Sequence, residues 1–247
     1  SLVGSEMCIR DRIKIEVLYS EIANLFGDIM NIRYLEKCIP GAQVIYTGLN
    51  DVPAFTNDDI SMIYMGPMTE HSQELVIDAL KPYKDDIKRC IENNVVFILT
   101  GNAFETFGQY IENEDGSRIE GLGITKTYAK RNMFKRYNSL IMGEFENMTL
   151  VGFKAQFSHS YGDNSDCYFY DVTRGDGINP NSKLEGIKIN NFFGTYTLGP
   201  FLIENPLFVK YILMLLGINK PALAFEDTIM EAYEKRLTEF KNPKLRY

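Results

Sequence analysis

Few side chains in this sequence can act as nucleophiles or bases. There are four cysteines, Cys8, Cys38, Cys90 and Cys167, and two histidines, His71 and His159. A thiol beside an imidazole would be a nucleophile with its own base. No sequence pattern joins these six. The cysteines form no CxxC or other metal spacing and read as reduced thiols of a cytosolic protein. Cys90 ends a helical run and Cys38 lies near another helix end, and the expected role of each is a small buried hydrophobe; Cys167, in a strand-like run beside Asp166, is expected to be an unactivated thiol. His71 opens a helix and is expected to cap or solvate it. His159, in a Phe157-to-Tyr161 loop, has Ser160 beside it, but adjacent side chains on a strand diverge, so the two make no catalytic pair.

The elements that would position these groups alternate in type. Residues 13–18 (IKIEVL), 43–46 and 60–65 read as strands, and 29–38 as a helix stopped by Pro40 and Gly41. Val76, Leu80, Tyr83, Ile87 and Ile91 recur at helical spacing, with Pro82 predicting a kink or two consecutive helices. Residues 95–99 (VVFIL) form an unbroken apolar run, the mark of a strand covered on both faces. Gly101 turns the chain and residues 103–111 read as a helix. This β-α-β-α-β order predicts a parallel sheet with right-handed crossovers. Beyond Gly116, strands are expected at 124–128, 138–145, 150–153 and 167–171, a loop at 175–182, and closing helices at 206–216 and 225–240. On the last helix Phe225, Ile229, Tyr233, Leu237 and Phe240 share one face.

With 247 residues, the chain has enough length to bury a core without disulfides or metals. One domain is expected over 13–247. Residues 1–12 (SLVGSEMCIRDR) have no apolar core or cleavage site of a secretory signal and read as a non-native, adaptor-derived tail. Net charge is −7, from 26 Lys and Arg against 33 Asp and Glu. An acidic balance without a basic block argues against nucleic-acid binding. No apolar run approaches the ~18 residues a membrane span needs. A cytoplasmic location and no cofactor are expected.

Several ordered segments carry a resemblance. They are Leu18 to Asp28 (LYSEIANLFGD) with Asn31 and Ile32, then Gly121-Leu122-Gly123, then Phe193 to Pro206 (FGTYTLGPFLIENP). This set resembles the cobyric-acid-synthase-like (CobB/CobQ-like) branch of the class I glutamine amidotransferases. Within that branch it is similar to the glutaminase subunits of lipid II isoglutaminyl synthase. The likeness spans residue 13 to about residue 240. It implies a three-layer, flavodoxin-like α/β domain with a largely parallel central sheet. It also implies hydrolysis of the glutamine side-chain amide by a Cys–His-based triad, with ammonia passed to a Mur-ligase-like synthetase.

Measured against that pattern, three parts of the chemistry are missing. The family's nucleophile turn corresponds to Leu99 through Gly108 (LTGNAFETFG), where Gly101 stands for the cysteine. In the family's Tyr-Leu-His-Gly-Pro, which reads Tyr196 to Pro200 here, Leu198 stands for the histidine. The family's glycine-rich oxyanion loop reads Gly66-Pro67-Met68-Thr69-Glu70-His71-Ser72-Gln73, and Pro67 removes a backbone donor. The family's Phe-Glu-Asn-His element reads Phe153-Lys154-Ala155-Gln156.

Binding features survive in outline. Arg136 falls near the arginine that in the family contacts the glutamine carboxylate, although Lys130, Arg131, Lys135 and Arg136 also read as one solvated basic cluster. Asn102 offers a backbone N–H at the turn, Gly66 belongs to the altered loop, and Glu105 replaces the family's glutamine after the nucleophile. Asp28 is expected to cap the following helix. No catalytic residue is therefore assigned, and Arg136, Asn102, Glu105 and Gly66 stand as candidate contacts for a small amino-acid ligand such as glutamine. The leading expectation is a silent amidotransferase-like subunit that regulates, scaffolds or binds a ligand. The alternatives are a hydrolase or transferase rebuilt around Arg136, Glu105, Thr100 or His159, with Thr100 and Glu105 at the ligand-bearing edge of the sheet, and a subunit still serving amidotransfer.

Overall fold

A computed structural model describes residues 13–245; the expectation for residues 1–12 lies outside them. Strands β1 (Lys14–Leu18), β2 (Gln43–Thr47), β3 (Met62–Met65) and β4 (Val96–Thr100) are all parallel to one another. They are joined by β14 (Phe192–Thr195), parallel to β4, and by the antiparallel edge strand β13 (Ile187–Ile189). The order is β13-β14-β4-β3-β1-β2. The fold class expected from the sequence is the one observed.

The period of two within each strand divides the apolar residues between two cores. On β4, Val96 and Ile98 join the cluster that includes helix α1 (Met30–Cys38), while Phe97 and Leu99 join the opposite one. Helices α2 (Glu70–Leu80) and α3 (Lys84–Glu92) cover that second face through Val76, Leu80, Ile87 and Ile91. The single-turn segment Lys81–Tyr83, with Pro82 inside it, separates them. Two consecutive helices are what a mid-helix proline dictates.

Beyond β4 the chain builds two further four-stranded sheets. One has the order β10-β7-β5-β6, from β5 (Tyr110–Glu112), β6 (Arg118–Glu120), β7 (Tyr128–Arg131) and β10 (Ser158–Tyr161). The other is antiparallel, β12-β11-β8-β9, from β8 (Tyr137–Phe145), β9 (Met148–Gln156), β11 (Tyr170–Arg174) and β12 (Leu184–Glu185). Phe169 ties this sheet to the centre, with ring centroids 5.1 Å from Phe145, 5.2 Å from Phe193 and 5.3 Å from Phe208. Helices α4 (Phe201–Glu204), α5 (Pro206–Leu215) and α6 (Glu226–Phe240) follow. Among the described residues no helix is long and apolar enough to cross a membrane.

Four sequence expectations need correction. Residues 103–111 are not one helix: a 3-10 segment, Gly101–Phe107, is followed directly by β5. The helix is cut short because another segment takes its last carbonyls. Leu122 N–H bonds Thr106 O, Gly123 N–H bonds Gly108 O, and Ile124 and Thr125 both donate to Phe107 O. The same bonds pull 124–125 out of the expected strand, which begins only at Tyr128. The strand expected at 167–171 starts at Tyr170. Phe225 is 75% exposed in a left-handed conformation at the start of α6, off the buried face shared by Tyr233 and Phe240.

Candidate functional site

The C-terminal edge of the parallel sheet carries the altered turn. Thr100 ends β4 in extended conformation, and Gly101 then turns at φ +59° into the 3-10 segment. This is the strained strand-to-helix geometry on which nucleophile elbows are built, occupied here by a residue without a side chain. A Cβ added at Gly101 would lie 2.6 Å from Pro67 Cβ and 3.4 Å from Leu198 Cδ2. Leu198 is fully buried and held by paired backbone bonds with Phe153, N–H to O at 2.8 Å and 3.1 Å. Gly152 permits that approach, since a Cβ there would collide with Thr197 and Leu198.

Beside the turn lies a cavity of about 170 Å³ that brings Gly101, Asn102 and Arg136 together with Phe26, Pro67, Glu70, Gln156, Phe157 and Ser158. Asn102 acts through its side chain as well as its position: Oδ1 accepts from Met68 N–H at 3.0 Å and Nδ2 donates to Met68 O at 2.9 Å. This clamps the Gly66–Met68 loop against the turn. The Arg136 guanidinium sits over the rings of Phe26 and Phe157, 5.6 and 5.7 Å from their centroids. Gln156 is buried, and its Oε1 has no hydrogen-bond partner among the described residues. Gly66 does not line the cavity; a Cβ there would meet Ala23 O at 2.6 Å, so its glycine serves close packing of the Leu25 loop.

Glu105 lies behind the cavity wall rather than in it. Its Oε1 accepts from Ser158 Oγ and Tyr196 OH, both at 2.5 Å, and its Oε2 from Gln73 Nε2 at 2.9 Å. Burial pushes its pKa up, opposed by those three bonds and by the charge of Arg131. Arg131 reaches it through Gln73, whose Oε1 accepts from Arg131 Nη2 at 2.9 Å. The basic cluster therefore divides. Arg131 is buried and paired to Glu74, Lys130 pairs with Glu112, and Arg136 faces the cavity.

Thr100 points the other way, to Asp28. The buried Asp28 Oδ2 accepts from both Thr100 Oγ1 and Tyr64 OH. Asp28 does not cap the following helix, whose N-cap residue Ile29 makes no side-chain cap bond; Asn24 Oδ1 accepts from Ile29 N–H at 2.8 Å and fixes the chain just before it. Thr100 and Glu105 thus belong to separate networks and make no joint site. Complete burial pushes the Asp28 carboxyl up to about 6 from an ordinary 3.8, against bonds from Thr100, Tyr64 and Asn31. A carboxyl raised on folding stabilises below its unfolded pKa, and that contribution is lost as pH rises through the folded value. Between pH 4 and pH 7 this position should therefore cost the protein about 2 kcal/mol. Asp28→Asn should flatten the stability profile by that amount. Urea unfolding across this range measures it, and an unchanged slope in the variant refutes the assignment.

The comparisons with known proteins fit this geometry. The family model for the CobB/CobQ-like glutamine amidotransferase domain matches residues 14–206. The chain belongs to that family. A lipid II isoglutaminyl synthase (glutamine-hydrolyzing) subunit GatD from Staphylococcus aureus (strain N315) is 28% identical over 196 residues, 78% of this chain and 80% of that protein. The GatD subunit of Streptococcus pneumoniae (strain ATCC BAA-255 / R6) is 26% identical over 233 residues, 92% and 88% of the two chains. Among solved structures, a Thermotoga maritima glutamine amidotransferase superposes with a TM-score of 0.52 at 11% identity, over 93% of this chain and 86% of that one. That last likeness shows the shared fold.

Within this CobB/CobQ-like domain none of the described cysteines lines the cavity beside the turn; the Ser158 hydroxyl, which does, donates to Glu105. Burial pushes the thiols of Cys38, Cys90 and Cys167 above their ordinary pKa, the opposite of activation. His71 is exposed, and the cap of α2 is Thr69, whose Oγ1 accepts from Ser72 N–H at 3.2 Å. Ser160 Oγ pairs with Tyr196 OH at 2.8 Å while His159 Nδ1 lies 3.3 Å from Gln156 Nε2, so the neighbours diverge as expected. The groups that sequence reasoning missed are Gln73, Arg131, Ser158 and the side chain of Gln156. Their partners are remote in sequence, and only the departure at Phe153–Gln156 from the family pattern hinted at one of them.

Proposed function

We propose that this chain is a catalytically silent glutamine amidotransferase-like subunit. In this reading it serves beside a Mur-ligase-like synthetase in cell-wall precursor amidation or a related pathway, keeping the cavity beside Gly101 for a small amino-acid ligand such as glutamine. The observation that carries the reading is the packing of Pro67 and Leu198 over Gly101, which takes up the space a catalytic thiol would need. The relation to the GatD subunits supports the pathway, and the resemblance of the FGTYTLGPFLIENP segment supports the partner. Against a rebuilt enzyme stand the engagement of Thr100 with Asp28 and of Glu105 with Ser158, Tyr196 and Gln73. Neither side chain is free to take a proton from a substrate in the cavity.

The test is release of ammonia and glutamate from L-glutamine by the purified chain, alone and co-expressed with a Mur-ligase-like neighbour. Release should not exceed the no-enzyme background in either setting. Glutamine-dependent release by the natural chain would end the silent reading.

A further inference from the structure

A second cavity, of about 400 Å³, is lined by Asn132, Lys135, Tyr137, Phe157, His159 and Pro180. Only Phe157 is shared with the cavity beside Gly101. The larger volume falls within the range of small-molecule sites, and the smaller one below it. Its walls are mainly rings. Tyr137 and His159 meet edge to face with centroids 5.0 Å apart, and Tyr137 OH is fixed by donating to Asp176 Oδ2 at 2.9 Å.

Two donors in this lining that carry or can take a positive charge are unspent. The Lys135 ammonium has no ion pair or hydrogen bond among the described residues; only its backbone N–H is engaged, with Asn132 O. The second donor follows from the hydrogen-bond pattern around His159. Gln156 Nε2 donates to Ser158 O at 2.6 Å and lies 3.3 Å from His159 Nδ1. Since a carbonyl only accepts, the amide orientation of Gln156 is set, and Nδ1 must be the acceptor. The proton of the neutral imidazole therefore sits on Nε2, which has no partner among the described residues.

We propose that this cavity binds a small aromatic anion, a planar ring bearing a phosphate or carboxylate. The ring packs among Tyr137, Phe157 and Pro180, and the anionic group is held by Lys135 and by the Nε2–H of His159. The proposal stands whether or not the chain hydrolyses glutamine. Affinity should rise on acidification. His159 is held below its ordinary pKa by burial and by Lys154 and Lys135, with Asp176 opposing; Asp176 is itself paired with Lys183 and Tyr137. An anion beside the ring favours the imidazolium, so binding raises the pKa of His159 and protonation tightens binding.

The experiment is proton NMR of the full chain, in which the imidazole signals of His159 and the exposed His71 are told apart with a His159→Gln variant. The probes are adenosine 5′-monophosphate and nicotinate as aromatic anions, adenosine as a ring alone, and inorganic phosphate as a charge alone. Either aromatic anion should shift His159 saturably, leave His71 in place and raise the pKa of His159. Lys135→Ala should weaken that binding about tenfold. Adenosine and phosphate should each bind at least about tenfold more weakly than the intact monophosphate. No saturable response of His159 to either aromatic anion up to millimolar concentration overturns the proposal, as does equal affinity in Lys135→Ala or equal binding of phosphate alone.

Discussion

On the proposed reading, placing a thiol and an imidazole at the nucleophile and base positions, Gly101→Cys with Leu198→His, is expected to destabilise the protein without producing a glutaminase. The new Cβ at 101 lands 2.6 Å from Pro67 Cβ, closer than carbon atoms pack. It also forces an L side chain into a left-handed conformation, which costs about 1–2 kcal/mol. Overpacking of this kind costs about 1–3 kcal/mol more. Neither Pro67 nor Leu198 can yield easily. Pro67 O accepts from Leu25 N–H at 2.9 Å, and the residue-198 backbone is bonded to Phe153 on both sides. Adding Pro67→Gly removes the colliding ring and returns the missing backbone N–H to the loop. Thermal unfolding should show that the triple variant recovers part of the loss. Glutamine-dependent ammonia release should appear in the triple variant and not in the double. A double variant as stable as the natural chain would show that Pro67 does not close the turn.

The largest single loss of stability is expected at Lys154, on β9. Its ammonium is fully buried and donates to Glu185 Oε2 at 2.5 Å, to Asp176 O at 2.9 Å and to Gly177 O at 2.6 Å. Burial pulls its pKa down, and the carboxylate of Glu185 opposes that most strongly. Lys154→Met would leave Glu185 charged and unpaired at 0% exposure, a loss of about 3–5 kcal/mol. The effect should reach the site. Glu185 Oε1 also accepts from Thr195 Oγ1 and from Tyr196 N–H, and Tyr196 OH is one of the donors holding Glu105. Combining Lys154→Met with Glu185→Gln removes the stranded charge while keeping an acceptor for Tyr196 and Thr195. Urea unfolding at neutral pH should show the double variant regaining more than half of the loss. Similar instability in both variants would locate the cost in lost packing rather than in the buried charge.

What the sequence by itself determined lies in patterns that are local or periodic. The apolar run at 95–99 needs no partner to announce a strand covered on both faces, because a period of two sends alternate side chains to opposite cores whichever helices supply them. Pro82 divides α2 from α3 through its own ring. The absence of a thiol at 101 and of an imidazole at 198 is likewise written in the residues. Tertiary structure decided where backbone and side-chain polar groups found partners. The helix expected beyond Gly101 stops at Phe107 because residues 122–125 claim its last carbonyls. Lys130, Arg131 and Arg136, which read as one basic cluster, separate to Glu112, to Glu74 and Gln73, and to a cavity mouth. Asp28, expected at a helix cap, instead lies buried against Tyr64 and Thr100. A buried polar group must be satisfied by whatever the fold brings within about 3 Å of it; residues far apart in sequence supply those partners, so periodicity carries no trace of them.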